Sequence, residues 1–210
     1  MGCKECRAYL CHEKPGRKLP AACPGADQPL QAEALARSRQ EPDYSLLRAA
    51  AQVEAEGYCR WTRLEETMDF ARKLGLNKLG IAFCYGLRKE AALLHGVLEK
   101  NGFEVVTAIC KNGGIAKSAL DLSRDFQIRV DEEHETMCNP IGQALVLNQA
   151  KTGLNIVVGL CVGHDSVFLR HSEAPATVLI VKDRVLCHNP VGALYQADGY
   201  YQEKLIKGNQ

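Results

Sequence analysis

The stretch NIVVGLCVGHD, from Asn155 to Asp165, decides the fold that we predict for this chain. Its apolar part, Ile156 to Val158 and Leu160, is continuous rather than alternating and too short for a helix, which is typical of a strand buried on both faces. Cys161 and the polar residues follow directly after it. Because ligands of open parallel sheets bind outside the carboxyl ends of the strands, the stretch predicts an α/β fold with its chemistry at those ends.

Two further strand-like runs end in the same way. The run KLGIAFC, 78–84, ends at Cys84, and EVVTAIC, 104–110, ends at Cys110, with a helical pattern over 87–101 between them. A strand, helix and strand of this length form a parallel unit with a right-handed crossover. Cys84, Cys110 and Cys161 are therefore expected at one edge of the sheet.

A fourth cysteine precedes a predicted helix. Cys138 and Asn139 lead into Pro140, which suits the first turn of a helix, and that helix leads to the Asn155 strand. The helix dipole lowers the pKa of a thiol placed at this end, so Cys138 is expected to ionise readily. A further β-prone run, 177–181, completes a Rossmann-like, mostly parallel sheet in three layers.

The cysteines at the strand ends form the first of two groups. Soft thiolates gathered from several elements suit an iron–sulfur cluster, of the 4Fe-4S type, or Zn²⁺. Buried structural thiols and a cysteine-based redox site are the alternatives. If three cysteines bind the cluster and its fourth iron is open, that iron could bind substrate as a Lewis acid, with His164 and Asp165 beside it as general acid or base candidates. A helix-capping or buried, hydrogen-bonded role is the alternative for His164. The predicted ligands are Cys84, Cys110, Cys138 and Cys161.

The second group of cysteines lies at the amino terminus, where few large apolar residues are available to form a core. The pattern C-x2-C-x4-C-x11-C supplies four thiols, and a bound metal would contribute folding free energy directly. His12 could replace one cysteine as a ligand. A disordered, cysteine-containing tail is the alternative. The predicted metal ligands are Cys3, Cys6, Cys11 and Cys23.

Three parts of the chain follow from these patterns: a metal knuckle over 1–26, a helical linker packed on the core over 27–76, and an α/β domain over 77–210. A helix is expected over 60–74, in which Thr62 precedes Glu65 at a capping-box spacing and which Gly75 ends. Structural roles are expected for Cys59 and Trp61, and Cys187 is expected to be a small buried residue. Short helices are expected over 166–171 and 193–206.

Composition limits the classes of function. The net charge of +1 gives no reason to expect nucleic acid or a membrane as partner, and the chain has no long apolar run. Ten cysteines without a signal-peptide pattern predict a reducing cytoplasm, where metal or catalytic roles are commoner than disulfides. The basic amino-terminal residues have few interleaved aromatics, which disfavours a zinc-ribbon nucleic-acid adaptor.

Several segments resemble a known family. They are the amino-terminal cysteine pattern, AFCYGL (82–87), CNP (138–140) and the run LNQAKTGLNIVVGLCVGHDSVFLRHSEAPATVLIVKDRVLCHNPVGALY (147–195). These motifs resemble an uncharacterised prokaryotic family of predicted metal-binding proteins, domain of unknown function eighteen forty-seven. The resemblance covers nearly the whole chain and implies metal binding, without naming a reaction.

Two hypotheses of function result. The first is an iron–sulfur enzyme or redox protein that acts on a small molecule or with a redox partner. The second is a non-enzymatic sensor or storage module for zinc or another metal. The sequence leaves open whether the chain is an enzyme, and whether it forms a homo-oligomer.

Overall fold

The structure is a computed structural model that describes residues 3–6, 9–13, 16, 18–129 and 133–206. It divides into two compact units, 1–61 and 62–210. The helix predicted over 60–74, placed in the linker from the sequence, belongs to the second of these units.

The first unit contains helices only among its described elements. Asp27 begins the second of them by accepting a hydrogen bond of 3.1 Å from the backbone N–H of Leu30. Trp61 packs on the end of the third, because a Cβ on Gly57 would lie 2.5 Å from its ring. That contact gives Trp61 a structural role, as predicted. The helices are α1 Leu10–Glu13, α2 Gln28–Ser38 and α3 Asp43–Gly57.

The second unit is built on a four-stranded sheet with the strand order β2-β1-β3-β4, and all its neighbouring strands are parallel. The predicted parallel unit and the Rossmann-like fold class are therefore confirmed. The chain leaves β1 for β2 on one side and returns to place β3 on the other side. A topological switch point thus lies between the carboxyl ends of β1 and β3. The strands are β1 Lys78–Phe83, β2 Glu104–Ile109, β3 Leu154–Val158 and β4 Ala176–Ile180.

Helices cover both faces of this sheet, which gives the three predicted layers. One face packs Ile81 and Ile156 against α4 and α5, and the other packs Ala82 and Val157 against α6 and α7. Every residue of β3 is buried, as expected for a strand covered on both faces. The helices of this unit are α4 Arg63–Lys73, α5 Arg88–Lys100, α6 Pro140–Gln149, α7 His164–His171, α8 Val191–Tyr195 and α9 Gln202–Leu205.

Helix ends agree with the sequence at some positions and differ at others. Thr62 and Glu65 form the predicted capping box of α4. Helix α7 begins at His164 rather than Ser166, directly after Gly163, which adopts a φ of 84° and turns the chain. The single segment predicted over 193–206 is two short helices, separated by a turn at Gly199.

Candidate functional site

A cavity of about 500 Å³ lies outside the carboxyl ends of the strands in the second unit. Thiols line it from four different elements, as the sequence predicted for a parallel sheet. Cys84 and Cys110 are buried, and the other two are half-buried. The structure therefore brings together all four of the predicted ligands Cys84, Cys110, Cys138 and Cys161.

The sheet itself positions the first two thiols. Its hydrogen bonding continues one residue past each strand: the N–H of Cys84 donates to the carbonyl of Val158 at 3.1 Å, and the N–H of Cys110 donates to that of Phe83 at 2.9 Å. Backbone that is still held in the sheet has little freedom to move. The sheet therefore holds the backbone of Cys84 and Cys110 in place at the carboxyl ends of β1 and β2.

Cys138 reaches the same place through its neighbour Asn139. The N–H of Asn139 donates to the carbonyl of Cys110 at 2.6 Å, and its side chain caps α6 by accepting from the N–H of Gly142 at 2.9 Å. Asn112 also donates a side-chain hydrogen bond of 3.2 Å to the Asn139 carbonyl. The turn after β2 and the start of α6 are therefore joined. Asn112 was not singled out from the sequence, where the KNGGI loop was interpreted only through its backbone N–H groups, as donors to an anion or to sulfide.

Gln143 ties α6 to the strand ends. Its side chain is fully buried, and Nε2 donates to the carbonyl of Ala108 at 2.7 Å and to that of Phe83 at 3.2 Å. Each carbonyl lies one or two residues before a cavity cysteine. The sequence signal for this role, a glutamine on the apolar face of α6, was visible but was not interpreted.

Hydrogen bonds connect the thiols of Cys84, Cys110 and Cys138 and shift their pKa values in different directions. Contact with Cys110, together with burial, raises the pKa of Cys84 far above its ordinary value. Donation to Cys138 raises the pKa of Cys110, and the same bond, with help from the charge of Lys111, lowers the pKa of Cys138 to about 7. The predicted acidity of Cys138 has this direction, although its largest cause is the neighbouring thiol rather than the helix dipole.

Two N–H donors from outside the thiol group also contact sulfur. The backbone N–H of Tyr85 donates to Cys110 Sγ at 3.2 Å, and the guanidinium of Arg184 donates to Cys161 Sγ at 3.0 Å. The Arg184 contact raises the pKa of that guanidinium. N–H groups directed at sulfur stabilise thiolates and tune the metal centres that thiolates hold.

The two predicted catalytic residues are placed differently. His164, the first residue of α7, lines the cavity beside the cysteines. Asp165 is not among the described residues that line it, and its carboxylate instead accepts a hydrogen bond of 2.8 Å from the N–H of Ser166. The structure thus brings His164, and not Asp165, to the thiols.

A buried ion pair holds the segment that follows β2 over the cavity. Glu135 contacts Lys117 at 3.0 Å and accepts from the N–H groups of Ile128 and Arg129 at 2.6 and 3.1 Å. The Arg129 N–H and the Lys117 ammonium lower the pKa of Glu135 to about 2. This carboxylate was not identified from the sequence, where it belongs to an acidic run typical of a solvated surface.

The remaining cysteines lie elsewhere in the fold. Cys3 and Cys11 are exposed and Cys6 and Cys23 are half-buried; the N–H of Tyr9 donates to Cys6 Sγ at 3.4 Å. Cys59 and Cys187 are both exposed, so the expected burial of Cys187 was wrong. A left-handed φ of 50° places Cys187 on a turn rather than in the core.

In the described ranges, no three or more histidine, cysteine and carboxylate side chains stand close enough together to hold a metal ion as they are. The amino-terminal knuckle therefore stays a prediction. No described helix combines the length and apolarity needed to cross a bilayer.

Fold and cavity together define an α/β protein with a thiol-lined site at its strand ends. The family described as "Protein of unknown function (DUF1847)" matches residues 23–179, a range that contains all four cavity cysteines. "Uncharacterized protein MJ0455" of Methanocaldococcus jannaschii is 41% identical over 208 residues, covering 99% of this chain and 100% of that protein. The chain belongs to the DUF1847 family, as its motifs indicated.

Proposed function

We propose that this protein binds an iron–sulfur cluster, of the 4Fe-4S type, through the four cavity cysteines. The protein then acts on a small molecule as an enzyme or redox protein. The observation that carries the proposal is the convergence of these thiols, from four elements, on one cavity at the carboxyl ends of the strands. In parallel sheets this edge is the usual place for ligands. These cysteines are far apart in the sequence, and the fold brings them together.

The chemistry of the donors fits a cluster. Thiolates are the usual ligands of iron–sulfur clusters, and they bind in the deprotonated form. Cys138, with a pKa of about 7, is prepared to ionise, and Cys110 and Cys161 each accept an N–H group at their sulfur. These contacts support thiolates at three of the four proposed ligands.

Zinc is the alternative metal, because four thiols also suit a tetrahedral Zn²⁺ site. In the described ranges no three or more potential ligands are placed to hold a metal ion as they stand, so either metal requires the side chains around the cavity to adjust. Visible absorption together with metal analysis distinguishes the two.

The bound cluster would supply electron transfer or, where only three of the four cysteines hold it, Lewis acidity at the fourth iron. The chain supplies the surroundings. His164 lies in the cavity, where its imidazole can give or accept a proton. Apolar side chains from the segment after β2, among them Leu122 and Met137, line the cavity on one side and exclude water.

Metal content of single variants tests the assignment of ligands. Cys84, Cys110, Cys138 and Cys161 are each changed to Ser, and iron and labile sulfide are measured after purification without oxygen. We expect each variant to lose iron and sulfide, and the matched variants Cys59→Ser and Cys187→Ser to keep them, because these two thiols are exposed and lie outside the cavity. Full iron content in the four cavity variants would refute the assignment.

The second hypothesis, a non-enzymatic metal sensor or storage module, draws support from the amino terminus. There the N–H of Tyr9 is directed at Cys6 Sγ, an arrangement that stabilises a metal-bound thiolate. This hypothesis predicts reversible metal uptake without turnover, and uptake that survives His164→Ala. The cytoplasmic location and the absence of nucleic-acid partners stay predictions.

A further inference from the structure

Two cations enter the cavity from the segment that follows β4. The methylene chain of Lys182 lies beside Gly159, and its ammonium lies beside Gly86; Cβ atoms built on these glycines would be 3.7 Å from Cδ and 3.1 Å from Nζ. Within the part of the chain that the structure describes, the Lys182 ammonium has no hydrogen bond and no carboxylate partner, and its charge acts on the Cys84 thiol. Arg184 donates one N–H to Cys161 and keeps other N–H groups for a ligand.

The other charges of the cavity are already paired within the chain. Lys111 donates to the carbonyl of Thr136, and Lys117 donates to the carbonyl of Phe126 at 2.6 Å and pairs with Glu135. Glu135 is the only carboxylate among the described residues that line the cavity, and its hydrogen bonds are internal. No carboxylate there neutralises Lys182 and Arg184. The β4 end of the cavity is therefore cationic.

The opposite end is apolar. Three large side chains line the cavity from the segment after β2 while remaining 62%, 38% and 83% exposed: Leu120, Leu122 and Ile128. Strands β2 and β4 are the two edges of the sheet; Cys110 follows β2, and Cys84 and Cys161 follow the two strands between these edges. A ligand with one charged and one apolar end would thus cross the thiols.

We infer that the substrate of this cavity is a small organic anion. Its anionic group lies between Lys182 and Arg184, and its apolar body lies against Leu122 and Ile128. The cavity volume of about 500 Å³ is in the range of small-molecule sites. That this anion is the substrate rests on the proposed function. Its binding depends only on the two cations and the apolar side chains of the cavity.

Calorimetry with straight-chain carboxylates, from acetate to octanoate, tests the inference on the full chain as purified without oxygen. We expect affinity to rise with chain length and the primary amide of equal length to bind at least about tenfold more weakly, because a charge-assisted hydrogen bond is lost. Lys182→Met should weaken carboxylate binding by a similar factor. Methionine keeps the methylene stem beside Gly159, so the fold should survive.

Two variants serve as controls. Lys100→Met removes an exposed lysine at the end of α5, which leads into the amino end of β2 and not the carboxyl end where the cavity lies, and should leave affinity unchanged. Ile128→Ser should reduce the gain with chain length and leave acetate binding unchanged. Equal binding of amide and carboxylate, or full affinity in Lys182→Met, would overturn the inference.

Iron and sulfide are measured in the same samples, so the two proposals fail separately. Iron-free protein that binds carboxylates would refute the cluster and support the anion site. Protein that holds a cluster and binds no carboxylate would support the cluster and refute the anion site.

Discussion

The side-chain amide of Gln143 donates a hydrogen bond of 2.7 Å to the backbone carbonyl of Ala108, two residues before the cavity cysteine Cys110. It donates a second bond to Phe83, the residue before Cys84. One buried side chain on α6 therefore holds the ends of two strands in register with the helix that follows Cys138. Its position makes the cavity sensitive to a residue that does not line it.

Replacing Gln143 should destabilise the strand ends that carry Cys84 and Cys110. Gln143→Leu removes both bonds, each worth about 0.5–1.5 kcal/mol, while the Phe83 carbonyl keeps the N–H of Cys110 as a donor. We expect a lower free energy of unfolding in urea and lower iron content. Gln149→Leu is the matched control, because Gln149 is an exposed glutamine on the same helix. Equal stability of the two variants would contradict the role given to Gln143.

Gly159 is required by both its conformation and its surroundings. It has a φ of 62°, and an added Cβ would lie 2.0 Å from Leu87 Cδ1. We expect Gly159→Ala to destabilise the protein by more than Gly163→Ala, which has a φ of 84° and open space around it. The control measures backbone strain alone, about 1–2 kcal/mol. Overpacking should add about 1–3 kcal/mol in Gly159→Ala, measured by denaturant unfolding.

The Cys138 thiolate should appear near neutral pH in the metal-free protein. Its pKa of about 7 in the fold lies below the ordinary value of 9.0, so ionisation favours the folded state. This stabilisation is complete above pH 9.0 and is lost as the pH falls through about 7. We expect alkylation of Cys138, followed by mass spectrometry, to have its midpoint near pH 7.

Removing the Cys110 donor should shift that midpoint. In Cys110→Ala the bond that contributes most to the low pKa is absent, so the midpoint should move up towards 9.0. Cys187→Ser, which changes an exposed thiol, should leave it in place. An unchanged midpoint in Cys110→Ala would show that another group stabilises the thiolate.

The Glu135 ion pair should stabilise the fold at neutral pH. Because its pKa is lowered from 4.5 to about 2, its contribution is fully present above about pH 4.5 and is lost as the pH falls through about 2. Glu135→Gln should cost about 1–3 kcal/mol at pH 7. The difference from the natural protein should shrink between pH 4.5 and 2. A difference that does not change with pH would exclude the charge as its cause.

The strand-end cysteines could be predicted because two simple rules combine. Continuous apolar runs identified β1, β2 and β3, and the parallel rule then placed Cys84, Cys110 and Cys161 at one edge. The rest of the cavity depends on contacts between distant segments. Lys182 and Arg184 follow the last strand without any periodic pattern, and Glu135 is buried only because backbone N–H groups of the same segment are directed at it.

The prediction of Asp165 beside His164 also depended on information that only the fold contains. Neighbours in sequence at the start of a helix point in different directions, and only His164 lines the cavity. Proximity in sequence could suggest both residues, whereas the direction of each side chain required the fold.

Visible absorption with iron and labile-sulfide analysis, on protein purified without oxygen, tests the central claim most directly. A cluster held by Cys84, Cys110, Cys138 and Cys161 predicts a brown protein with about four iron and four sulfide per chain. Colourless protein that contains only zinc, or no metal after reconstitution with iron and sulfide, would contradict it.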